Sequence, residues 1–175
     1  MRVQKSNASR VALGGVLAAL SLLLLYLAAV MPSGRIGMVA IAGLVPAAAV
    51  VSGGLFTGFL SYGATAVFAF LLLPDKSCAL LYVIFFGLYP MIKSLIERLR
   101  KLPLELLLKL VFFNIVLAIL LFGFSAFLFP MLPEFLHNTL PVFLVGNVVF
   151  LVYDYGFSKL ITYYASRIRG VTRNH

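Results

Sequence analysis

The sequence predicts an all-α, polytopic membrane protein of six transmembrane helices with both termini in the cytoplasm. Three observations predict it. Of its 175 residues, 63% are hydrophobic and 11% charged, more apolar surface than a soluble domain of this size could bury. Twelve of the fourteen Lys and Arg residues fall into three clusters: Arg2, Lys5 and Arg10; Lys93 to Lys109, with Arg98, Arg100 and Lys101; and Lys159, Arg167, Arg169 and Arg173. Long apolar stretches separate the clusters. Basic residues that flank membrane segments stay in the cytoplasm, so an even number of crossings separates each pair of clusters.

The elements follow in order. Helix 1 is expected from about Val11 to Met31, closed by the turn signal Pro32-Ser33-Gly34. Its basic start and apolar run resemble a secretory signal, but the run exceeds a typical signal core, and it reads as a retained helix. Helix 2 covers about Ile36 to Val51, short for a crossing and interrupted by Pro46. Ser52-Gly53-Gly54 turns the chain into helix 3, about Leu55 to Leu73, and Pro74-Asp75-Lys76 is the next turn. Helix 4 runs from about Ala79 to Leu95 into the charged stretch Glu97 to Lys101. Helix 5 starts near Leu104 and ends at about Phe129, before Pro130. A polar loop with Glu134, His137 and Asn138 leads to helix 6, about Pro141 to Tyr164. The whole chain reads as one integral membrane domain, with Arg35 and Lys76 the only basic residues in its outer loops.

Composition narrows the function. The net charge of +9 follows from the cytoplasmic loop bias and attraction to anionic membrane lipid rather than from nucleic-acid binding. Cys78 is the only cysteine, so neither an intrachain disulfide nor a cysteine-based metal site is available. Tryptophan is absent, which leaves tyrosines such as Tyr26, Tyr62, Tyr153, Tyr155 and Tyr163 to build the interfacial belts. Glu134 and His137 stand three apart and read as a solvated loop, not a metal site. No sequence pattern of a zinc hydrolase, serine hydrolase, P-loop or carboxylate pair occurs, so no catalytic residues, metal or cofactor are expected.

Polar residues inside the spans carry more information. A charged side chain at the centre of a membrane helix costs roughly 2.5–3.5 kcal/mol, so such groups face the bundle interior or a cavity. One face of helix 6 carries Asn147, Leu151, Asp154 and Ser158; one face of helix 5 carries Asn114, Ala118, Leu121 and Ser125. Helix 4 offers Tyr82, Phe86, Tyr89 and Lys93, and helix 3 offers Thr57, Ser61 and Thr65. Asp154 lies thirteen residues beyond Pro141, roughly 20 Å below the outer end of helix 6, and Lys93 lies at roughly 21 Å in helix 4. Equal depth permits an ion pair. Lys93 snorkelling to the headgroups is the alternative. Ala8, Ala12, Gly15 and Ala19 share one face of helix 1, and such small residues let two helix backbones approach closely, either within the bundle or against a partner.

Six short helices, the small-residue stripe on a basic-flanked helix 1, the Pro-Ser-Gly break and the Gly- and Ala-rich hairpin of helices 2 and 3 resemble the substrate-binding S component of energy-coupling-factor transporters. Ala8-x-x-x-Ala12 and Gly15-x-x-x-Ala19 are similar to that family's AxxxA-type docking face, with one alanine replaced by glycine. The resemblance implies a non-enzymatic bacterial cell-membrane protein that captures a vitamin or similar micronutrient outside. A transmembrane coupling subunit and ATPases would energise uptake. Matching site positions would be Arg35, Tyr89, Asn114, Asn147 and Asp154, with Asp154 deeper than an outward-facing site would reach. The rival reading is a structural or assembly subunit of a bacterial membrane complex.

Overall fold

The computed structural model describes residues 7–136 and 138–173; Arg2, Lys5 and His137 lie outside them, so their expected placement is not addressed. Six helices are long and apolar enough to cross a membrane, and no strand occurs among the described residues. We label the spans α1 (Asn7–Val30), α2 (Arg35–Gly53), α3 (Leu55–Leu72), α4 (Lys76–Leu99) and α5 (Leu102–Gly123); a short helix α6 (Ser125–Leu128) precedes the last, α7 (Thr139–Arg173). The chain divides into two compact units: one reaches from the N-terminal side to Met91 and takes up the chain again from Leu160, and the other is Ile92–Lys159.

Local chemistry fixes the joints of the first unit. The α2–α3 hairpin turns on Gly54 alone, at φ 88°, ψ 178°, a conformation that is open to glycine and strained for any side chain. Asp75 caps the start of α4: its Oδ1 accepts from the Ser77 backbone N–H at 2.8 Å. Lys76 Nζ donates to the Phe70 and Leu73 carbonyls at 2.6 and 2.8 Å, satisfying the end of α3.

Pro46 sits inside α2 and has no N–H for the Ala42 carbonyl one turn earlier. The buried Ser21 hydroxyl of α1 donates to that carbonyl at 3.0 Å and lies 3.2 Å from the Tyr82 hydroxyl. A freed acceptor in lipid must find a donor, and here a neighbouring helix supplies it. Gly43, one residue on from Ala42, allows α4 to come close: a Cβ there would stand 2.5 Å from the Phe86 carbonyl oxygen. Where α4 passes this point it widens into a π turn over Tyr82–Phe86, and the Tyr62 hydroxyl donates to the Val83 carbonyl at 2.9 Å.

In the second unit the aromatic rings of Phe113 on α5 and Phe150 on α7 stack 4.5 Å apart at 7°. Gly146 lies against the Phe113 ring, within 3.4 Å of where a Cβ would be. Large apolar side chains are exposed on the spans, among them Val16, Leu23, Leu71, Phe122 and Val148, as lipid-facing surfaces require.

Several boundaries differ from the sequence expectation. α1 begins four residues earlier and α7 continues well beyond Tyr164. Hydropathy marks where a helix leaves the hydrocarbon, whereas the hydrogen-bond ladder continues into water. The expected helix from Leu104 to Phe129 is broken: α5 ends in a π turn at Gly123, and Phe124 at φ −135°, ψ 32° leaves the helical region before α6.

Candidate functional site

The second unit gathers four charged side chains from three spans. Lys93 of α4 makes a direct ion pair with Asp154 of α7 and also donates to Ser158 Oγ at 2.7 Å. Lys109 of α5 reaches the other Asp154 oxygen at 3.1 Å. Glu97, one turn beyond Lys93 on α4, bridges both lysines: its Oε1 lies 2.8 Å from Lys93 Nζ and 2.9 Å from Lys109 Nζ. Lys93 and Lys109 are buried, Asp154 nearly so, and Glu97 is 42% exposed. Two ammonium groups face two carboxylates, so the formal charge of the cluster is zero. That neutrality is what lets it persist beside an apolar interior.

Lys93 thus pairs with Asp154 rather than snorkelling alone. The sequence reading did not place Lys109 and Glu97 in this group. Lys109 stands between leucines in the apolar span α5 and Glu97 follows Lys93 by one helical turn, two signals that the clustering of basic residues by position had absorbed.

Asn114 of α5 and Asn147 of α7 face each other. Asn114 Nδ2 donates to Asn147 Oδ1 at 2.9 Å, and Asn147 Nδ2 returns a bond to Asn114 Oδ1 at 3.0 Å. The second hydrogen of each amide goes to a carbonyl one turn back in its own helix, Leu110 for Asn114 and Phe143 for Asn147, both at 2.8 Å. Every amide donor of the pair is used. A ligand at these residues would have to take an oxygen lone pair or open the pair.

Of the other proposed ligand residues, both belong to the first unit. Arg35 bonds Asp75 Oδ2 at 3.1 Å and the Met31 carbonyl at 2.9 Å, tying the turn after α1 to the start of α4. Tyr89 is fully buried, its ring 5.5 Å from that of Phe85. Among the described residues, no group of three or more His, Cys, Asp or Glu is placed to hold a metal ion.

On α1 the two small-residue faces part ways. Gly14, Ala18 and Ser21 face inward, Gly14 against Leu60 and the Ala18 carbonyl 3.3 Å from Thr65 Oγ1. Ala8, Ala12, Gly15 and Ala19 are all exposed, and a Cβ added at Gly15 would meet nothing within 4 Å. No family profile, no curated protein and no solved structure matches this chain.

Proposed function

We propose that the protein is the membrane-embedded capture subunit of an uptake system. It would take a vitamin or similar small micronutrient from outside the cell, with transport energised by a transmembrane coupling subunit and ATPases that it recruits. The observation that carries this reading is the outward small-residue face of α1. Ala8, Ala12, Gly15 and Ala19 form an unfilled, close-approach surface, while the packing of α1 onto its own unit uses the neighbouring face of Gly14, Ala18 and Ser21. In lipid such a face favours a second helix, because small side chains bring backbones into van der Waals contact. The protein would act by binding alone, without catalytic groups.

One observation favours the structural or assembly reading. Asn114, Asn147 and Asp154, three of the candidate ligand residues, are engaged with other side chains of the same unit. Affinity purification from the native membrane, followed by mass spectrometry of both proteins and small molecules, separates the two. Co-purification of an ATPase module with a stoichiometric micronutrient supports uptake. Recovery of cell-envelope assembly proteins with no small molecule sinks it.

A further inference from the structure

Within the first unit, α1, α2 and the Leu160–Tyr164 stretch of α7 enclose an open apolar groove of about 440 Å³. Its walls are aliphatic, with Leu17 and Leu24 on α1, Ile41 and Ala48 on α2 and Leu160 on α7. One end is polar. Tyr163 and Tyr164 line the groove there; the Tyr164 hydroxyl lies 3.2 Å from Ser52 Oγ, and Arg167 donates to the Tyr163 hydroxyl at 3.2 and 3.3 Å. Because α1 and α2 run antiparallel through a tight turn, Ser52 at the end of α2 stands level with the start of α1. There Arg10 precedes Leu17 by two helical turns. Both arginines therefore mark the same end, and clustered basic residues assign that end to the cytoplasm.

We propose that this groove is a site for an anionic phospholipid of the cytoplasmic leaflet, with one acyl chain along the aliphatic walls. The phosphate lies at the mouth, against Arg167, Arg10 and the hydroxyls of Ser52 and Tyr164. The dimensions fit. From Ile41 to Val51 the α2 wall rises about 15 Å, half the roughly 30 Å hydrocarbon thickness and so one leaflet. The chemistry of the walls argues against a second helix as the occupant. Close helix association in lipid uses small residues; the α2 wall has Ala47 and Ala48, but the α1 wall presents Leu17, Leu20 and Leu24, whose bulk holds a second backbone away. The basic mouth selects charge: a zwitterionic headgroup offers Arg10 and Arg167 no net attraction.

The test uses the full chain in vesicles of equal phosphatidylglycerol and phosphatidylcholine, extracted in mild detergent, with retained lipid counted by native mass spectrometry. Phosphatidylglycerol should be enriched by about fivefold for each basic residue engaged, the factor expected per Lys or Arg near an anionic surface. Arg167→Gln, at an exposed position where the guanidinium rests on the Tyr163 hydroxyl, should lower that enrichment by about fivefold while the protein stays folded. Ala48→Phe should fill the groove and reduce retention of both lipids. Equal retention of the two lipids, or full preference in Arg167→Gln, overturns the proposal. So does a wild-type dimer that Ala48→Phe dissociates. If Ala48→Phe fails to fold, Arg167→Gln alone decides.

Discussion

Lys93 and Asp154, 61 residues apart in the chain, form a direct ion pair within the second unit, and each also holds a member of the other charge pair. Neither lysine has a carboxylate of its own. Asp154 gives one oxygen to Lys93 and the other to Lys109, and Glu97 Oε1 is shared by both. The cluster behaves as one unit because removing any member leaves the remaining charges unbalanced.

Asp154→Asn should therefore be among the most destabilising single changes in the protein. Breaking a buried pair from one side costs roughly 3–5 kcal/mol, because an uncompensated charge remains. Lys93→Met in the same chain should restore part of the loss, because the remaining Lys109 and Glu97 form a balanced pair at 2.9 Å, but not all of it, since Lys109 has lost its second carboxylate. Adding Lys109→Gln should undo part of that recovery, because Glu97 then has neither lysine of the cluster beside it. Thermal unfolding in detergent measures each step. Additive losses across the series would show that the four groups are independent.

The Asn114–Asn147 pair predicts a different pattern. Asn147→Ala leaves both the Asn114 oxygen and one of its amide hydrogens without a partner; a fully buried polar group left so costs roughly 1–3 kcal/mol, and this half-buried pair should fall toward the low end. The double variant Asn114→Ala, Asn147→Ala should cost less than the sum of the two singles, because it removes both unsatisfied partners together. If a micronutrient binds here, the single variants also weaken its binding; if the pair is structural, stability falls and binding elsewhere is untouched. Calorimetry beside thermal unfolding resolves the two.

The membrane architecture was legible because it rests on one-dimensional signals. Six apolar runs, their turn residues and the positions of the basic clusters can be counted along a sequence. What escaped were relations set by side-chain direction across helices. The stripe Ala8, Ala12, Gly15 and Ala19 and the face Gly14, Ala18 and Ser21 sit side by side on α1, and sequence periodicity cannot say which one packs. Lys109 joined a cluster of nominally cytoplasmic residues, although its side chain turns inward to Asp154. The break at Phe124 depends on a backbone conformation for which the Gly123 before it was the only hint.

The two faces of α1 give paired substitutions with opposite outcomes. Ala12→Leu and Gly15→Leu place bulk on an exposed surface, so the protein should fold as before and lose association with the proposed coupling subunit. Gly14→Leu places bulk where even a Cβ would stand 3.0 Å from Leu60, so it should impair folding itself. Size-exclusion profiles and pull-down yields compare the three variants. Misfolding of Ala12→Leu would show that the outer face also packs within the protein.

Topology is tested by accessibility. With six crossings and the basic clusters inside, Lys76→Cys should react with an impermeant maleimide in intact cells and Lys101→Cys should not. Cys78 is fully buried and should contribute little background. Labelling of Lys101→Cys from outside would reverse the orientation and, with it, the leaflet assigned to the lipid groove.

The last prediction concerns Pro46, whose missing N–H leaves the Ala42 carbonyl to the Ser21 hydroxyl. Ser21→Ala removes that donor in a fully buried position and should cost roughly 1–3 kcal/mol, the penalty for an unsatisfied buried acceptor. Pro46→Ala restores an N–H one turn after Ala42 and lets α2 close its own ladder there. In that background the carbonyl no longer depends on α1, so Ser21→Ala should cost measurably less. Pro46→Ala alone should be tolerated only if α2 can straighten without losing the close approach at Gly43, where the Phe86 carbonyl would stand 2.5 Å from an added Cβ. A double-mutant cycle on thermal stability reads the coupling directly. An equal cost of Ser21→Ala in both backgrounds would mean that the hydroxyl serves Tyr82, 3.2 Å away, and that the carbonyl freed by proline is satisfied by other means.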